Sequence, residues 1–144
     1  MLITVAALAA FCVRRIPEGQ VYSLRRFGGH TRFVGAGMHF MLPLIERVSH
    51  KMSLTGSSIE VTGTLSNGEN YQASVYFQVL DPQRADQVID CVDALLCNQT
   101  TQLLAGDSVP SEHADRRLWL KQGLNTEARE RGLLVTRVDL RQAA

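Results

Sequence analysis

The segment from Arg25 to Val48 brings together the residue types that most often do chemistry, namely arginine, histidine and clustered glycine. Such a segment could cradle a phosphate, hold a metal ion, or stack arginines and aromatic rings on nucleic acid. Its glycines lack the GxxxxGKS or GxxxxGKT spacing of a phosphate loop, and they do not open a recognisable helix. The net charge of +1 is far from the basic balance of a nucleic-acid-binding domain. We therefore predict neither a phosphate loop nor a nucleic-acid partner.

The four histidines and three cysteines show no metal-binding or nucleophile pattern. No histidine stands at helical spacing from a second ligand, and the cysteines form no CxxC pair. His39, between Met38 and Phe40, is interpreted as a packing residue. Cys91 lies on a helical pattern beside acidic residues, whereas reactive thiols need an electropositive, accessible setting. The sequence predicts no metal, no cofactor and no catalytic residue, and a small hydrolase that uses Cys91 or a histidine is the least favoured hypothesis.

Basic side chains are concentrated in the N-terminal part of the chain. Residues 1–58 carry seven basic and two acidic side chains, and residues 59–144 carry eight basic and twelve acidic ones. The resulting balances are +5 and −4. An anionic surface would attract the basic part, and a solvated arginine-rich face is the simpler alternative.

Residues 2–13 read LITVAALAAFCV and contain no charge. As a helix they would span about 18 Å, against about 30 Å of bilayer hydrocarbon. A signal peptide would place positive charge before the apolar run, but Arg14 and Arg15 follow it. A lipoprotein signal would need a small residue where Phe11 precedes the cysteine. A short anchor that dips into one leaflet is favoured, and a buried core helix is the alternative.

The anchor interpretation defines two sets of residues that would contact the membrane. The first set combines the apolar leader with its flanking arginines: Leu2, Ile3, Val5, Leu8, Phe11, Val13, Arg14 and Arg15. The second set is the apolar run before Pro43, for which core packing is the alternative: Met38, Phe40, Met41 and Leu42. If the anchor spans the bilayer, arginines on its C-terminal side favour a cytoplasmic domain.

Alternating hydrophobicity and turn residues predict short strands in the first part of the chain. These strands are expected at residues 20–27, 31–34, 38–42 and 44–52, separated by glycines and Pro43. A hairpin follows, in which residues 59–66 and 71–79 are joined by Asn67-Gly68.

The hydrophobic period lengthens at Asp81-Pro82, a pair that suits the cap and first position of a helix. One long amphipathic helix is expected to start there, and a second helix, capped by Ser111, is expected to run through Arg131. Residues 133–140 read as a final strand.

Strands followed by helices favour an α+β fold with a mostly antiparallel sheet and two to three helices. A chain of 144 residues suits one domain with a real core. We therefore expect a membrane-anchor segment at residues 1–15 and one domain at residues 16–144.

Three blocks of the sequence, in this order, resemble the stomatin/prohibitin/flotillin superfamily, whose shared domain is called band 7 or SPFH. The blocks are PEGQVYSLRRFGGHTRFVGAGMHFMLPLIERV (Pro17–Val48), NGENYQASVYFQVLDPQRA (Asn67–Ala85) and GLLVTRVDL (Gly132–Leu140). Ala36 stands where the family usually has a proline before the glycine.

The resemblance implies a non-enzymatic α+β domain that sits close to a bilayer behind a hydrophobic anchor, at the cell inner membrane if the protein is bacterial. It also implies homo- or hetero-oligomers with related subunits, which organise membrane patches and modulate partners such as membrane proteases or channels. The family usually continues into a long coiled coil, whose heptads this sequence does not supply. We therefore expect a small relative that joins, caps or limits assemblies. The alternative is a soluble protein-binding module that uses its apolar N-terminus for dimerisation or partner docking.

Overall fold

The computed structural model describes residues 2–143, and the chain divides into two compact units between Thr55 and Gly56. In the described part, four α-helices accompany eight strands, and every strand pair is antiparallel. The prediction of an α+β fold with antiparallel pairing is confirmed. The single sheet that it implied is wrong, because turn residues break the chain into short strands that pair locally in three separate sheets.

The N-terminal unit, residues 1–55, begins with a helix and continues as short strands. Its elements are α1 (Leu2–Cys12), β1 (Val13–Ile16), β2 (Gln20–Arg26), β3 (Thr31–Val34), β4 (Gly37–Phe40) and β5 (Glu46–Ser53). β1 and β4 form a two-stranded ribbon, and β3, β2 and β5 form a sheet in that order. The four strands predicted here are present, with ends shifted by at most two residues.

β1 is a strand that the sequence did not predict, because VRRI has no alternation between apolar and polar residues. Its backbone pairs with β4 in a register that places Val13 opposite Phe40 and Ile16 opposite Gly37. The sequence suggested that Val13 ends the apolar helix. In the structure it belongs to the ribbon instead.

A small core fixes the ribbon to the sheet of the N-terminal unit. It consists of Ile16, Leu24, Val34 and Met41, with Tyr22 and Val48 packed against it. Ile16 comes from β1, and Met41 directly follows β4. Met41 is only 6% exposed, so its assignment to lipid contact is wrong and the core alternative is right.

The C-terminal unit, residues 56–144, is a three-stranded sheet with two helices packed on it. Its elements are β6 (Ser57–Thr64), β7 (Asn70–Val79), α2 (Pro82–Ala85), a 3₁₀ turn (Ile89–Cys91), α3 (Val92–Ala105), α4 (His113–Glu130) and β8 (Leu133–Gln142). β7 is central, α3 contacts β6, and α4 contacts β8. Every second residue of β7 from Tyr71 to Val79 is buried, as the period of two predicted.

The predicted hairpin between β6 and β7 is confirmed. Gly68 has a φ of +86° and donates its N–H to the carbonyl of Leu65 at 3.0 Å. Glu69 donates its backbone N–H to the Asn67 side chain, also at 3.0 Å. The Asn-Gly pair therefore supplies both a side-chain acceptor and the left-handed residue that this loop needs.

Asp81 caps α2 as predicted, since its side chain accepts the N–H groups of Gln83 and Arg84 and Pro82 follows it. The expected long helix is nevertheless wrong, because α2 ends after one turn and α3 begins only at Val92. The interval contains β-branched and aspartate residues, which are weak helix formers.

The start of α4 also differs from the prediction. The helix begins at His113 with Glu112 at its N-cap position, and no side chain caps it. Ser111 therefore is not the cap. Near the other end, the Asn125 side chain donates to the Val135 carbonyl at 3.0 Å and accepts the Val135 N–H at 2.8 Å. This pair of bonds fixes α4 to β8.

Tyr71 allows a test of how the C-terminal unit is packed. It is 2% exposed, and its hydroxyl has no hydrogen-bond partner among the described residues. Tyr71→Phe should therefore raise the free energy of unfolding by about 1 kcal/mol, because an unsatisfied buried hydroxyl is removed. Tyr76→Phe on the same strand is the control, since Tyr76 is 38% exposed and should change stability by less than about 0.5 kcal/mol. Urea unfolding in which Tyr71→Phe is the less stable variant would contradict this packing.

Candidate functional site

α1 is exposed along its length, which is unusual for an apolar helix. All residues from Leu2 to Phe11 are exposed, and none is charged. The five apolar contacts predicted on this helix are 89%, 86%, 67%, 68% and 84% exposed: Leu2, Ile3, Val5, Leu8 and Phe11. A helix on a water-facing surface normally hides its apolar stripe and shows a polar face. α1 shows apolar side chains on every side.

The ribbon extends this apolar surface beyond the helix. Val13 lies opposite Phe40, and Arg15 lies opposite Met38. Directly opposed side chains of an antiparallel pair share one face, so these four residues lie on the same side of the ribbon. Met38 and Phe40 are 74% and 57% exposed, and Val13 is 40% exposed. This side is therefore an exposed apolar face with one arginine.

The opposite face of the ribbon turns toward the core. It carries Arg14, His39 and the buried Ile16. His39 is partly buried and its Nε2 has no hydrogen-bond partner among the described residues. The two arginines that follow the leader thus project from different faces, and only Arg15 shares a face with Met38 and Phe40.

The end of α1 is attached to the ribbon by a hydrogen bond. Met41 donates its N–H to the carbonyl of Cys12 at 2.7 Å. Phe11, Arg14, Pro43 and Arg47 line one depression of about 330 Å³ beside this point. The structure therefore brings the helix, the ribbon and the segment after β4 together on one surface. Leu42, at 37% exposure, lies in that segment.

Three exposed apolar residues near this surface were missed by the sequence interpretation. Phe27 and Leu44 are 92% and 91% exposed, and Ile45 is 41% exposed. Phe27 donates its N–H to the carbonyl of Ile45 at 3.0 Å, which joins the two turns. The sequence did contain a signal for two of them, because a large apolar residue beside turn formers is expected to lie in an exposed turn. Phe27 precedes two glycines, and Leu44 follows Pro43.

The charges around the surface are largely unneutralised. In the N-terminal unit, Arg32 forms an ion pair with Glu46, at 3.8 Å. In the C-terminal unit, Asp139 pairs with both Arg117 and Arg137. The hydrogen bond from Arg137 to Asp139 raises the pKa of Arg137 above its usual value. Net positive charge is thus a property of the N-terminal unit, whose basic side chains outnumber its acidic ones by five.

Two kinds of feature are absent from the described residues. No helix in residues 2–143 is long and apolar enough to span a bilayer. Over the same residues, no three His, Cys, Asp or Glu side chains converge as a metal site would require. Cys91 is exposed and Cys97 partly buried, both as free thiols away from α1 in the chain.

Comparison with known proteins adds one distant relative. No family model matches the chain. An uncharacterized protein of Schizosaccharomyces pombe is 24% identical over 141 aligned positions, which cover 90% of this chain and 40% of the relative. The chain thus spans about 40% of that protein's length. The resemblance to the SPFH superfamily stays a prediction.

Proposed function

We propose that the protein is a non-enzymatic, membrane-associated scaffold or regulator. In this role it organises membrane patches and modulates partner membrane proteins such as proteases or channels. One observation carries the proposal: α1 and the adjoining ribbon face both expose apolar side chains, and no side chain from Leu2 to Val13 is charged. Exposed apolar surfaces of this kind are typical of sites that meet a membrane or another protein.

The length of α1 favours insertion into one leaflet. Eleven residues span about 16 Å, roughly half of the hydrocarbon thickness of a bilayer. Arginine side chains beside such a helix reach the headgroup level, while Met38 and Phe40 enter the interface with it. A cytoplasmic location of the following domain is a further part of the proposal, because arginines on the C-terminal side of a spanning segment would favour that side.

The partner part of the proposal depends on the three sequence blocks that resemble the SPFH superfamily. Oligomers with related subunits and regulation of a membrane protease or channel follow from that resemblance. Both belong to the proposal and need tests of their own, such as cross-linking in native membranes followed by identification of the captured subunits.

A second candidate function is a soluble binding module that buries α1 against another copy or a partner. The absence of a polar face on α1 supports the soluble module as much as the membrane scaffold. A protein surface would cover the apolar helix as well as lipid does. The two functions differ in whether lipid is needed.

Vesicle flotation of the purified full-length chain separates these functions. If the protein is a membrane scaffold, it should float with lipid vesicles. If α1 serves only self-association, the protein should stay at the bottom of the gradient with vesicles of every composition. Sedimentation velocity without lipid should then show a dimer.

A further inference from the structure

We propose that Phe27 and Leu44, with Arg25 and Arg47 beneath them, form a second membrane contact that selects anionic phospholipids. We call this group the arginine tip. It rests on the proposed membrane function and adds a lipid preference to it. The N-terminal unit supplies the matching charge, because its basic side chains outnumber its acidic ones by five.

The apolar part of the arginine tip protrudes from two joined turns. Phe27 follows β2 in a turn closed by the bond from the Arg26 N–H to the His30 carbonyl, at 2.9 Å. Leu44 lies in a second turn, in which Ile45 donates to the Leu42 carbonyl at 3.0 Å. Both side chains are more than nine-tenths exposed, a costly arrangement in water and a favourable one at a lipid interface.

The charged part of the arginine tip is an opposed pair of like charges. Arg25 of β2 lies directly opposite Arg47 of β5 in the sheet register. Like charges at such positions destabilise a sheet, and neither arginine has an ion-pair partner among the described residues. The nearby carboxylate, Glu46, is already paired with Arg32. An anion bound between Arg25 and Arg47 would remove this repulsion.

The two parts of the arginine tip line one open depression of about 540 Å³. Pro43, Arg47 and Glu46, the partner of Arg32, line both this depression and the one beside Phe11 of α1. Both depressions therefore lie on one continuous surface of the N-terminal unit. A phospholipid suits this arrangement, since its phosphate matches the arginines and its acyl chains match Phe27 and Leu44.

The test compares flotation with vesicles of phosphatidylcholine alone and with an equimolar mixture of phosphatidylcholine and phosphatidylglycerol. The wild-type protein should prefer the anionic vesicles, and the double variant Arg25→Gln/Arg47→Gln should lower that preference about thirtyfold. The matched control is Arg129→Gln/Arg141→Gln, which removes two exposed charges from the C-terminal unit and should keep the preference. Phe27→Ser/Leu44→Ser should weaken binding to both vesicle types.

Several outcomes would overturn the inference while leaving the proposed function in place. One is flotation in which both arginine variants lose the preference equally, because net charge would then explain it. Another is a double variant Arg25→Gln/Arg47→Gln that keeps the full preference for anionic vesicles.

Soluble polyglutamate that binds through Arg25 and Arg47 as tightly as vesicles do would instead identify an acidic protein partner. A wild-type protein that floats with neither vesicle type would contradict the proposed function itself. Circular dichroism of the variants checks that each is folded.

Discussion

Replacing Leu8 by glutamate should remove most of the protein's attachment to lipid vesicles. Leu8 is 68% exposed on α1, so the change takes no side chain out of the core. The variant loses the transfer free energy of a leucine, about 2 kcal/mol, and must also bring a carboxylate to the membrane. The partition coefficient should therefore fall on the order of 100-fold, measured by flotation over a series of lipid concentrations.

The control for this prediction is the same substitution on an exposed leucine elsewhere. Leu118 of α4 is 60% exposed and belongs to the C-terminal unit, so Leu118→Glu should float like the wild-type protein. Equal flotation of Leu8→Glu and wild type would show that α1 is not the membrane contact. If Leu8→Glu instead dissolves a lipid-free dimer, α1 serves self-association and the second candidate function is favoured.

Replacing Gly132 by alanine should destabilise the C-terminal unit more than the same substitution at Gly68 does. Gly132 joins α4 to β8 with a φ of +75°, and its carbonyl accepts the N–H groups of Leu80 and Asp81. An added Cβ would lie 2.5 Å from the Asp81 carbonyl oxygen, which is fixed backbone. The strained φ and the clash together should lower the free energy of unfolding by about 3 kcal/mol or more, measured by urea unfolding.

Gly68→Ala separates the cost of the left-handed φ from the cost of the Cβ clash in the Gly132 variant. Gly68 also has a left-handed φ, +86°, but an added Cβ there would meet open space. Its substitution should therefore cost only about 1 kcal/mol, the conformational part. A Gly132 variant as stable as the Gly68 variant would contradict the close packing of the α4–β8 connection against Asp81.

The hairpin and the cap of α2 could be predicted from the sequence because each depends on residues close together in the chain. Asn67-Gly68 specifies its own loop, and Asp81-Pro82 specifies the start of α2. The position at which a helix stops was harder to predict. The helical spacing of apolar residues continues from Ala85 to Val92, but the backbone leaves the α-helical conformation between these residues. The residues between α2 and α3 are weak helix formers, and the helix is therefore interrupted there.

The candidate surface could be predicted only in part. The apolar leader was evident from its lack of charge, but a buried core helix fitted the same residues. The pairing of β1 with β4 connects residues far apart in sequence. That pairing decides which of the second set of apolar residues lie outside: Met38 and Phe40 share an exposed face, while Met41 enters the core. The arginine tip was missed for the same reason, since Arg25 and Arg47 meet only through the pairing of β2 with β5.

The most direct test of the central claim, that α1 lies in lipid, is fluorescence from a tryptophan placed on that helix. The chain has one tryptophan, Trp119, so Phe11→Trp in a Trp119→Phe background reports on α1 alone. With vesicles, the emission should shift to the blue and be quenched by brominated lipids, most strongly by those brominated near the headgroup end of the acyl chain. Emission that stays the same with and without vesicles of every composition would contradict the claim.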